Sequence, residues 1–241
     1  MNVDPSRLKA IVFDVDGTLY RQSPLRRAML YRLLLHAVSN PTSAIATFRA
    51  LTAYRRAQED LRDVHVEGPL AAEQLRLASE QSGQSGEVVA RIVARWIDHE
   101  PLRRLERFVE PALRTLLETA RRRGLRLGVF SDYPAAAKLE AMRLAEFFDV
   151  VVTAQDAAVN CFKPNPSGLV EALRQLETSP SDALYVGDRH DVDGPAAQAA
   201  GVPCVIIGQR GDTNASKGWI PVSDYRDLHA MLFSTESELG Q

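Results

Sequence analysis

Short, almost wholly apolar runs alternate with helical segments along most of this chain, and this alternation constrains its fold more than any other feature. Runs of this kind are typical of strands that are covered on both faces. Strands that alternate with helices predict βαβ units around a parallel sheet. The predicted strands are Ala10–Phe13, Leu125–Phe130, Val150–Thr153, Ala183–Val186 and Val202–Ile207.

The alternation stops between the first and second predicted strands. Roughly residues 21 to 107 carry helical patterns only, which is more chain than one βαβ connection needs. We therefore predict an α/β core, with a Rossmann-like parallel sheet flanked by helices, from residues 1–20 and 108–241. Residues 21–107 are predicted to form an inserted all-helical domain, and the tail after Phe233 is expected to be frayed.

Composition excludes some partners and environments. A formal net charge of -2 gives no electrostatic basis for binding nucleic acid or an anionic membrane. The only cysteines, Cys161 and Cys204, provide neither a disulfide framework nor a zinc spacing. No apolar run approaches membrane-spanning length, and the N-terminus lacks the apolar stretch of a signal peptide. We therefore expect a soluble cytoplasmic protein.

Acidic, hydroxyl and cationic residues recur where the predicted strands end. One carboxylate at a strand end is usually a turn or helix-cap residue. Several such residues from separate strands instead converge on the edge of a parallel sheet where ligands bind. In chain order, these residues are Asp14, Asp16, Ser131, Lys163, Asp188, Asp191 and Asp193.

This cluster of oxygen ligands suits a hard divalent cation. Carboxylates without accompanying cysteines or histidine pairs favour Mg²⁺, which commonly also binds the phosphate oxygens of a substrate. Without a cation, neighbouring carboxylates would raise one another's pKa. The residues therefore predict Mg²⁺ as the cofactor.

The same residues resemble the four motifs of the haloacid dehalogenase superfamily, whose members are mostly phosphatases and phosphotransferases. The similarity covers about residues 8 to 210 and implies an α-helical cap inserted after the first motif, as in phosphoglycolate phosphatases. The matches are IVFDVDGT at Ile11 to Thr18, then Ser131, then Lys163 followed by Pro164, and then Gly187-Asp188 followed by Asp193.

The resemblance implies a catalytic role for four residues. Asp14 would be the nucleophile and would form an aspartyl-phosphate intermediate. Asp16 would protonate the leaving oxygen and then take a proton from the attacking water. Ser131 would donate a hydrogen bond to a phosphoryl oxygen, and Lys163 would neutralise negative charge on Asp14 and on the transferring group.

The metal ligands also follow from the resemblance. Mg²⁺ would be held by the Asp14 carboxylate, the main-chain carbonyl of Asp16 and the Asp188 carboxylate. Asp193 would act behind these ligands, through water or by orienting the lysine. Asp191 competes for that role, but Asp193 aligns better with the motif.

Three further residues are expected around the substrate. Gly17 permits the turn after the first strand, and Thr18 completes the first motif. Asp132 occupies a position where relatives usually have Asn. It either adds negative charge near the phosphate or caps the helix predicted at Pro134–Phe147, and we expect capping.

The leading functional prediction is a Mg²⁺-dependent phosphatase that acts on a small phosphorylated metabolite. A haloacid dehalogenase on the same fold is an alternative, although such relatives usually lack an acid at the position of Asp16. A phosphosugar mutase and a non-catalytic binding module are two others. The sequence does not set the physiological substrate or the oligomeric state.

Overall fold

In the part of the chain that the structure describes, one sheet of six parallel strands forms the centre of the fold. The computed structural model describes residues 4–62, 64–209 and 218–234. The strands are β1 (Ala10–Phe13), β2 (Arg126–Ser131), β3 (Val150–Thr153), β4 (Ala183–Gly187), β5 (Cys204–Ile207) and β6 (Ile220–Val222). Across the sheet they stand in the order β3-β2-β1-β4-β5-β6, which confirms the predicted α/β class and adds one unpredicted strand, β6.

In the described part of the chain, α-helices connect most of the consecutive strands, and one more follows the last strand. Among the described residues, no helix is both long and apolar enough to span a membrane. The α-helices are α1 (Gln22–Ser39), α2 (Pro41–Asp60), α3 (Leu70–Ser82), α4 (Gly86–Val93), α5 (Leu102–Leu105), α6 (Leu113–Arg122), α7 (Ala136–Ala141), α8 (Ser167–Gln175), α9 (Asp193–Ala199) and α10 (Tyr225–Phe233). Residues Ala94–His99 continue α4 as wider π-type turns.

Strand β1 lies in the middle of the sheet, between β2 and β4. Its Ile11 is in register with Leu127 on β2 and with Leu184 on β4. Successive side chains of β1 enter the apolar cores on the two faces of the sheet, so the whole strand is buried. The chain order reverses between β1 and β4, and ligands of such sheets bind beyond the carboxyl ends of the strands at that point.

Helices α1 to α5 lie between β1 and β2. The chain leaves the sheet and returns to it at one place, where Tyr20 and Val109 form an isolated antiparallel bridge. Helices α2, α3 and α4 bury an apolar cluster of their own. We propose that residues 21–107 are the inserted domain and residues 1–20 and 108–241 the core. Residues 1–3, 63, 210–217 and 235–241 of these ranges lie outside the described residues.

The helix predicted at Pro134–Phe147 is shorter in the structure. Helix α7 ends at Ala141, and Arg143 then adopts a left-handed φ of 56° before a 3₁₀ turn at Ala145–Phe147. The reversal allows Leu144 to pack in the same apolar core as the helix that it follows. Helix α10 was not predicted, and most of the predicted frayed tail lies outside the described residues.

Candidate active site

The polar residues that follow β1, β2 and β4 meet at the carboxyl edge of the sheet. Asp14 directly follows β1, Ser131 is the last residue of β2, and Asp188 directly follows β4. Lys163 reaches the same place from the segment between β3 and α8. The parallel strands therefore bring together side chains that are far apart in the sequence.

Asp14 is held by contacts on both of its carboxylate oxygens. Its backbone N–H donates to the carbonyl of Val186 at 2.9 Å, which extends the pairing of β1 with β4. The hydroxyl of Thr18 donates to Oδ2 of Asp14 at 2.9 Å, and Nζ of Lys163 donates to Oδ1 at 2.5 Å. Only 5% of Asp14 is exposed, so the carboxylate is fixed in one orientation.

Lys163 donates to three partners from its buried ammonium group. Besides Asp14, Nζ contacts Oδ1 of Asp193 at 2.8 Å and the hydroxyl of Tyr185 at 3.2 Å. These contacts use all three donors of an ammonium group. Burial lowers the pKa of Lys163, but Asp14 and Asp193 outweigh it and hold the pKa well above its ordinary value. Lys163 is therefore a fixed positive charge between two carboxylates.

Asp193 is the more enclosed of these two carboxylates. Its Oδ1 accepts hydrogen bonds from Lys163 and from the hydroxyl of Tyr185 at 3.0 Å. Its Oδ2 accepts from the backbone N–H groups of Asp188 at 3.2 Å and Arg189 at 3.0 Å. Because both oxygens already have protein donors, Asp193 is suited to orienting Lys163 and the loop after β4.

Asp191, the competing acid of the fourth motif, lies at the surface. Its Oδ2 accepts from the guanidinium of Arg189 at 2.7 Å, and the same guanidinium contacts Glu59 of α2 at 3.3 Å. These are exposed ion pairs, which generally contribute little to stability. The structure thus separates Asp191 from the carboxylates that surround Lys163.

Three carboxylates approach one another closely enough to share a cation. One oxygen from each of Asp14, Asp188 and Asp193 lies within 4.8 Å of the others. Burial, opposed by Lys163 and reinforced by Asp193 and Asp188, raises the pKa of Asp14 to about 8. Burial and Asp193 raise the pKa of Asp188 to about 6. The single ammonium of Lys163 therefore cannot balance the charges of all three carboxylates when they are ionised.

The surroundings of Asp188 fit a divalent cation. Within the described residues, its carboxylate accepts no hydrogen bond, although it faces two other acids. The backbone of Gly17, whose φ is +108°, passes close to the carboxylate of Asp188. A Cβ added at Gly17 would lie 2.1 Å from Oδ2 of Asp188. Oxygen donors of this kind, without thiolate or imidazole, are those that Mg²⁺ prefers. The residues present therefore fit the predicted ion.

The side chain of Asp16 contacts two residues that the sequence did not predict. Nζ of Lys138, on α7, contacts Oδ1 and Oδ2 of Asp16 at 2.7 and 2.6 Å. The hydroxyl of Tyr20 donates to Oδ1 at 2.5 Å. Burial raises the pKa of Asp16, but Lys138 and Tyr20 outweigh it and hold the pKa below its ordinary value.

The expectation that Asp132 caps a helix is wrong. Helix α7 begins at Ala136 without a side-chain cap. The carboxylate of Asp132 instead accepts hydrogen bonds from Gln58 at 2.9 Å and Arg62 at 2.8 Å, both from the α2 region, and from the backbone N–H of Lys163 at 3.1 Å. Asp132 therefore links the inserted helices to the strand edge. This linking role was not among the interpretations drawn from the sequence.

Ser131 lies beside this link and is fully buried. Its hydroxyl oxygen accepts a hydrogen bond from the backbone N–H of Tyr133 at 3.3 Å. Because an oxygen that accepts this bond can still donate its own proton, the hydroxyl of Ser131 retains a donor at the edge of the sheet.

Lys138, Tyr20 and Tyr185 are the site residues that sequence reasoning missed, and two of them left a signal. Tyr185 is the one hydroxyl-bearing residue in the apolar strand ALYVG, and a buried phenol needs a hydrogen-bond partner. Lys138 lies on the helix that follows Ser131, which starts at the edge of the sheet where the acids converge. The sequence could have indicated that both face the site, but not which carboxylate each one contacts.

Comparisons with known proteins agree with this geometry. A family model described as haloacid dehalogenase-like hydrolase matches residues 8–201. A glyceraldehyde 3-phosphate phosphatase of Methanopyrus kandleri is 30% identical over 207 residues, covering 83% of this chain and 84% of that protein. A phosphoglycolate phosphatase of Escherichia coli is 28% identical over 221 residues, covering 82% of this chain and 80% of that protein.

A solved structure supports the fold alone. The crystal structure of a 2-haloacid dehalogenase from Pseudomonas syringae superposes with a TM-score of 0.64. It is 21% identical in sequence, and the match covers 93% of this chain and 98% of that one.

Proposed function

Because the chain belongs to the family of haloacid dehalogenase-like hydrolases, we propose that it is a Mg²⁺-dependent phosphatase that acts through an aspartyl-phosphate intermediate. One observation carries the proposal. The carboxylate of Asp14 is fixed at the sheet edge by Thr18 and Lys163, next to the carboxylate of Asp188. Such a site combines a positioned nucleophile with charge compensation, which are the main requirements of phosphoryl transfer.

In the first half of the proposed reaction, a carboxylate oxygen of Asp14 attacks phosphorus. The bond from phosphorus to the ester oxygen breaks, and the leaving alcohol takes a proton from Asp16. Lys163 compensates negative charge on Asp14 and on the transferring group, while the hydroxyl of Ser131 donates to a phosphoryl oxygen. The products are an alcohol and phosphorylated Asp14.

In the second half, water attacks the phosphorus of phosphorylated Asp14. Asp16, now ionised, takes the proton from that water, and the bond between phosphorus and Asp14 breaks. Inorganic phosphate leaves and the carboxylate of Asp14 is regenerated. Asp16 thus regains the proton that the first half consumed. Because Lys138 and Tyr20 outweigh burial and hold its pKa below the ordinary value, they favour the ionised form that acts as the base in this second half.

The residues that would hold Mg²⁺ are Asp14, Asp188 and the main-chain carbonyl of Asp16. The ion would supply positive charge that compensates these carboxylates and the phosphoryl oxygens. Asp193 would remain behind these ligands, since its own oxygens are bound by Lys163, Tyr185 and backbone N–H groups.

We propose a small phosphomonoester as the substrate, because the curated relatives are phosphatases of glyceraldehyde 3-phosphate and phosphoglycolate. Two free cysteines, Cys161 and Cys204, favour the cytoplasm as the place of action. The acid at Asp16 favours phosphoryl chemistry over dehalogenation, which needs no proton donor at that position.

The test is phosphate release from p-nitrophenyl phosphate and from a panel of small phosphorylated metabolites that includes phosphoglycolate and glyceraldehyde 3-phosphate. Each assay is run with Mg²⁺ and again with excess EDTA. We expect turnover that EDTA abolishes and that added Mg²⁺ restores. Turnover that survives EDTA would contradict the metal dependence, and no release from any ester would favour the binding-module alternative.

A further inference from the structure

Lys138 and Tyr20 surround the carboxylate of Asp16 from two directions. The ammonium of Lys138 lies within 2.7 Å of both carboxylate oxygens, and the phenol of Tyr20 donates to one of them. The side chains of Lys138 and Asp16 are 13% and 22% exposed, so water screens the pair weakly. A carboxylate held by two donors from separate segments of the chain cannot rotate freely.

The other lysines of the described chain have different surroundings. Lys163 serves Asp14 and Asp193, whereas Lys9 lies at the surface and pairs with Asp182 at 2.8 Å. Lys138 therefore supplies the ammonium group in direct contact with Asp16. It does so from α7, which directly follows the segment after Ser131.

We propose that Lys138 is a positioning residue for the acid–base step and that Tyr20 assists it. Their contacts fix the direction in which the carboxyl group of Asp16 meets the ester oxygen. This inference rests on the proposed phosphatase function. Neither Lys138 nor Tyr20 touches the phosphoryl group in this role, so both act only through Asp16.

If Lys138 positions Asp16, the effect of replacing Lys138 on the reaction rate should depend on the leaving group of the ester. When the bond from phosphorus to the ester oxygen breaks, an alkoxide needs the proton of Asp16, whereas p-nitrophenolate is stable as an anion and needs it little. If Asp16 loses its orientation, alkyl esters should therefore suffer much more than aryl esters. A loss of folding or of metal binding would instead lower both rates together.

The experiment measures kcat/KM for phosphoglycolate, an alkyl ester, and for p-nitrophenyl phosphate. This parameter includes the departure of the alcohol, and the ratio of the two values does not depend on the fraction of folded enzyme. For Lys138→Met we expect the alkyl value to fall about 100-fold and the aryl value about threefold, as for loss of a positioned general acid. If phosphoglycolate is not hydrolysed, glyceraldehyde 3-phosphate replaces it.

Three further variants sharpen the test. Lys138→Arg keeps a cation of similar reach and should recover at least a tenth of the alkyl activity. Tyr20→Phe removes one donor to Asp16 and should lower the alkyl value about tenfold, with a smaller change for the aryl ester. Lys9→Met removes a lysine that is 69% exposed and should leave the ratio unchanged.

The possible outcomes are distinguishable. An equal fall for both esters in Lys138→Met would overturn the inference and indicate a structural role. A rise in the alkyl value would also overturn it, because Lys138 would then restrain the acid rather than position it. An unsubstituted chain that releases phosphate from none of these esters would instead overturn the proposed function, and this inference with it.

Discussion

Lys163 is the residue on which the arrangement of buried carboxylates depends. Its three donors join Asp14, Asp193 and the hydroxyl of Tyr185. Removing one partner of a buried charge pair leaves the other charge uncompensated, which is costly in a site shielded from water. The same ammonium therefore serves both the stability of the site and its proposed chemistry.

Replacing the nucleophile should separate chemistry from folding. We expect Asp14→Asn to lower kcat by at least about 1000-fold, since an amide oxygen cannot form the proposed intermediate. The side chain keeps its size and Lys163 keeps Asp193 as an anionic partner, so circular dichroism should show an intact fold. A variant that turns over at more than a tenth of the original rate would exclude Asp14 as the nucleophile.

Replacing the lysine tests charge compensation. We expect Lys163→Met to lower kcat at least about 100-fold, because negative charge on Asp14 and on the phosphoryl group would then lack its ammonium partner. Phosphate release at saturating p-nitrophenyl phosphate measures the loss. Lys9→Met is the matched control and should retain full activity. Equal activity in the two variants would show that Lys163 has no part in the reaction.

At the residue scale, the sequence predicted which residues gather at the edge of the sheet but not all of their contacts. Strand ends and motif spacing indicated Asp14, Lys163 and Asp188, because these features follow from local pattern and parallel topology. The contact of Lys138 with Asp16 depends on how α7 turns after β2. Lys138 and Asp16 are far apart in the sequence, and no periodicity encodes a contact between them. The contact was therefore found only from the side-chain geometry.

At the scale of elements, the end of α2 is joined to the site by one buried ion pair. Nη1 of Arg62 contacts Oδ2 of Asp132 at 2.8 Å and the main-chain carbonyl of Lys163 at 2.6 Å. Only 8% of the Arg62 side chain and 12% of the Asp132 side chain are exposed. Asp132 stands where relatives usually have Asn, and this contact gives the difference a local explanation. The carboxylate binds Arg62, which follows the inserted helix α2.

We expect Arg62→Met to lower the free energy of unfolding by about 3 kcal/mol, because Asp132 would stay buried without its cationic partner. Urea unfolding followed by tryptophan fluorescence measures the change. Arg76→Met is the control, since Arg76 pairs with Glu73 and Glu80 on the exposed side of α3. It should shift the free energy by less than about 0.5 kcal/mol. Equal effects in the two variants would contradict the proposed importance of the link.

The break after α7 illustrates why element boundaries were harder to predict than element types. The segment from Ala136 to Phe147 has a helical composition and contains no glycine that would signal an end. Arg143 nevertheless takes a left-handed conformation, which lets Leu144 and Phe147 join the core beneath the sheet. Tertiary packing outweighed local propensity at this position.

At the scale of the whole molecule, the carboxylates of the site are expected to make stability depend on pH. Asp14 and Asp188 have pKa values raised to about 8 and about 6, mainly by burial. In an unfolded chain they titrate near pH 4. The folded protein therefore binds more protons than the unfolded chain between these limits, and its free energy of unfolding falls as the pH rises through this window.

We therefore expect the unfolding temperature in EDTA to fall between pH 5 and pH 8. In the proposed function Mg²⁺ would bind the ionised carboxylates and compete with protons, so the rise in unfolding temperature on adding Mg²⁺ should be larger at pH 8 than at pH 5. Differential scanning fluorimetry at constant ionic strength measures both effects. The Asp14→Asn variant should respond less to the ion. If Mg²⁺ raised the unfolding temperature equally at both pH values, the result would contradict the assignment of these carboxylates to the cation.

The topology of the whole sheet was only partly predictable. Apolar strands alternating with helices predicted that the strands are parallel, but not that β1 lies between β2 and β4. Strand order depends on the direction of each crossover, and the long insertion after β1 obscures the first of them. Strand β6 is only three residues long and includes a proline, which explains why no pattern indicated it.

The central position of β1 also has a consequence for synthesis on the ribosome. This strand emerges early, yet its neighbour β4 begins only at Ala183, after the inserted helices and two further strands have been made. The wholly apolar strand β1 therefore has backbone groups without their β4 partners during this time, whereas helices α2 to α4 can already bury their own cluster. The nascent chain is expected to need chaperone protection at its first strand until translation has passed β4.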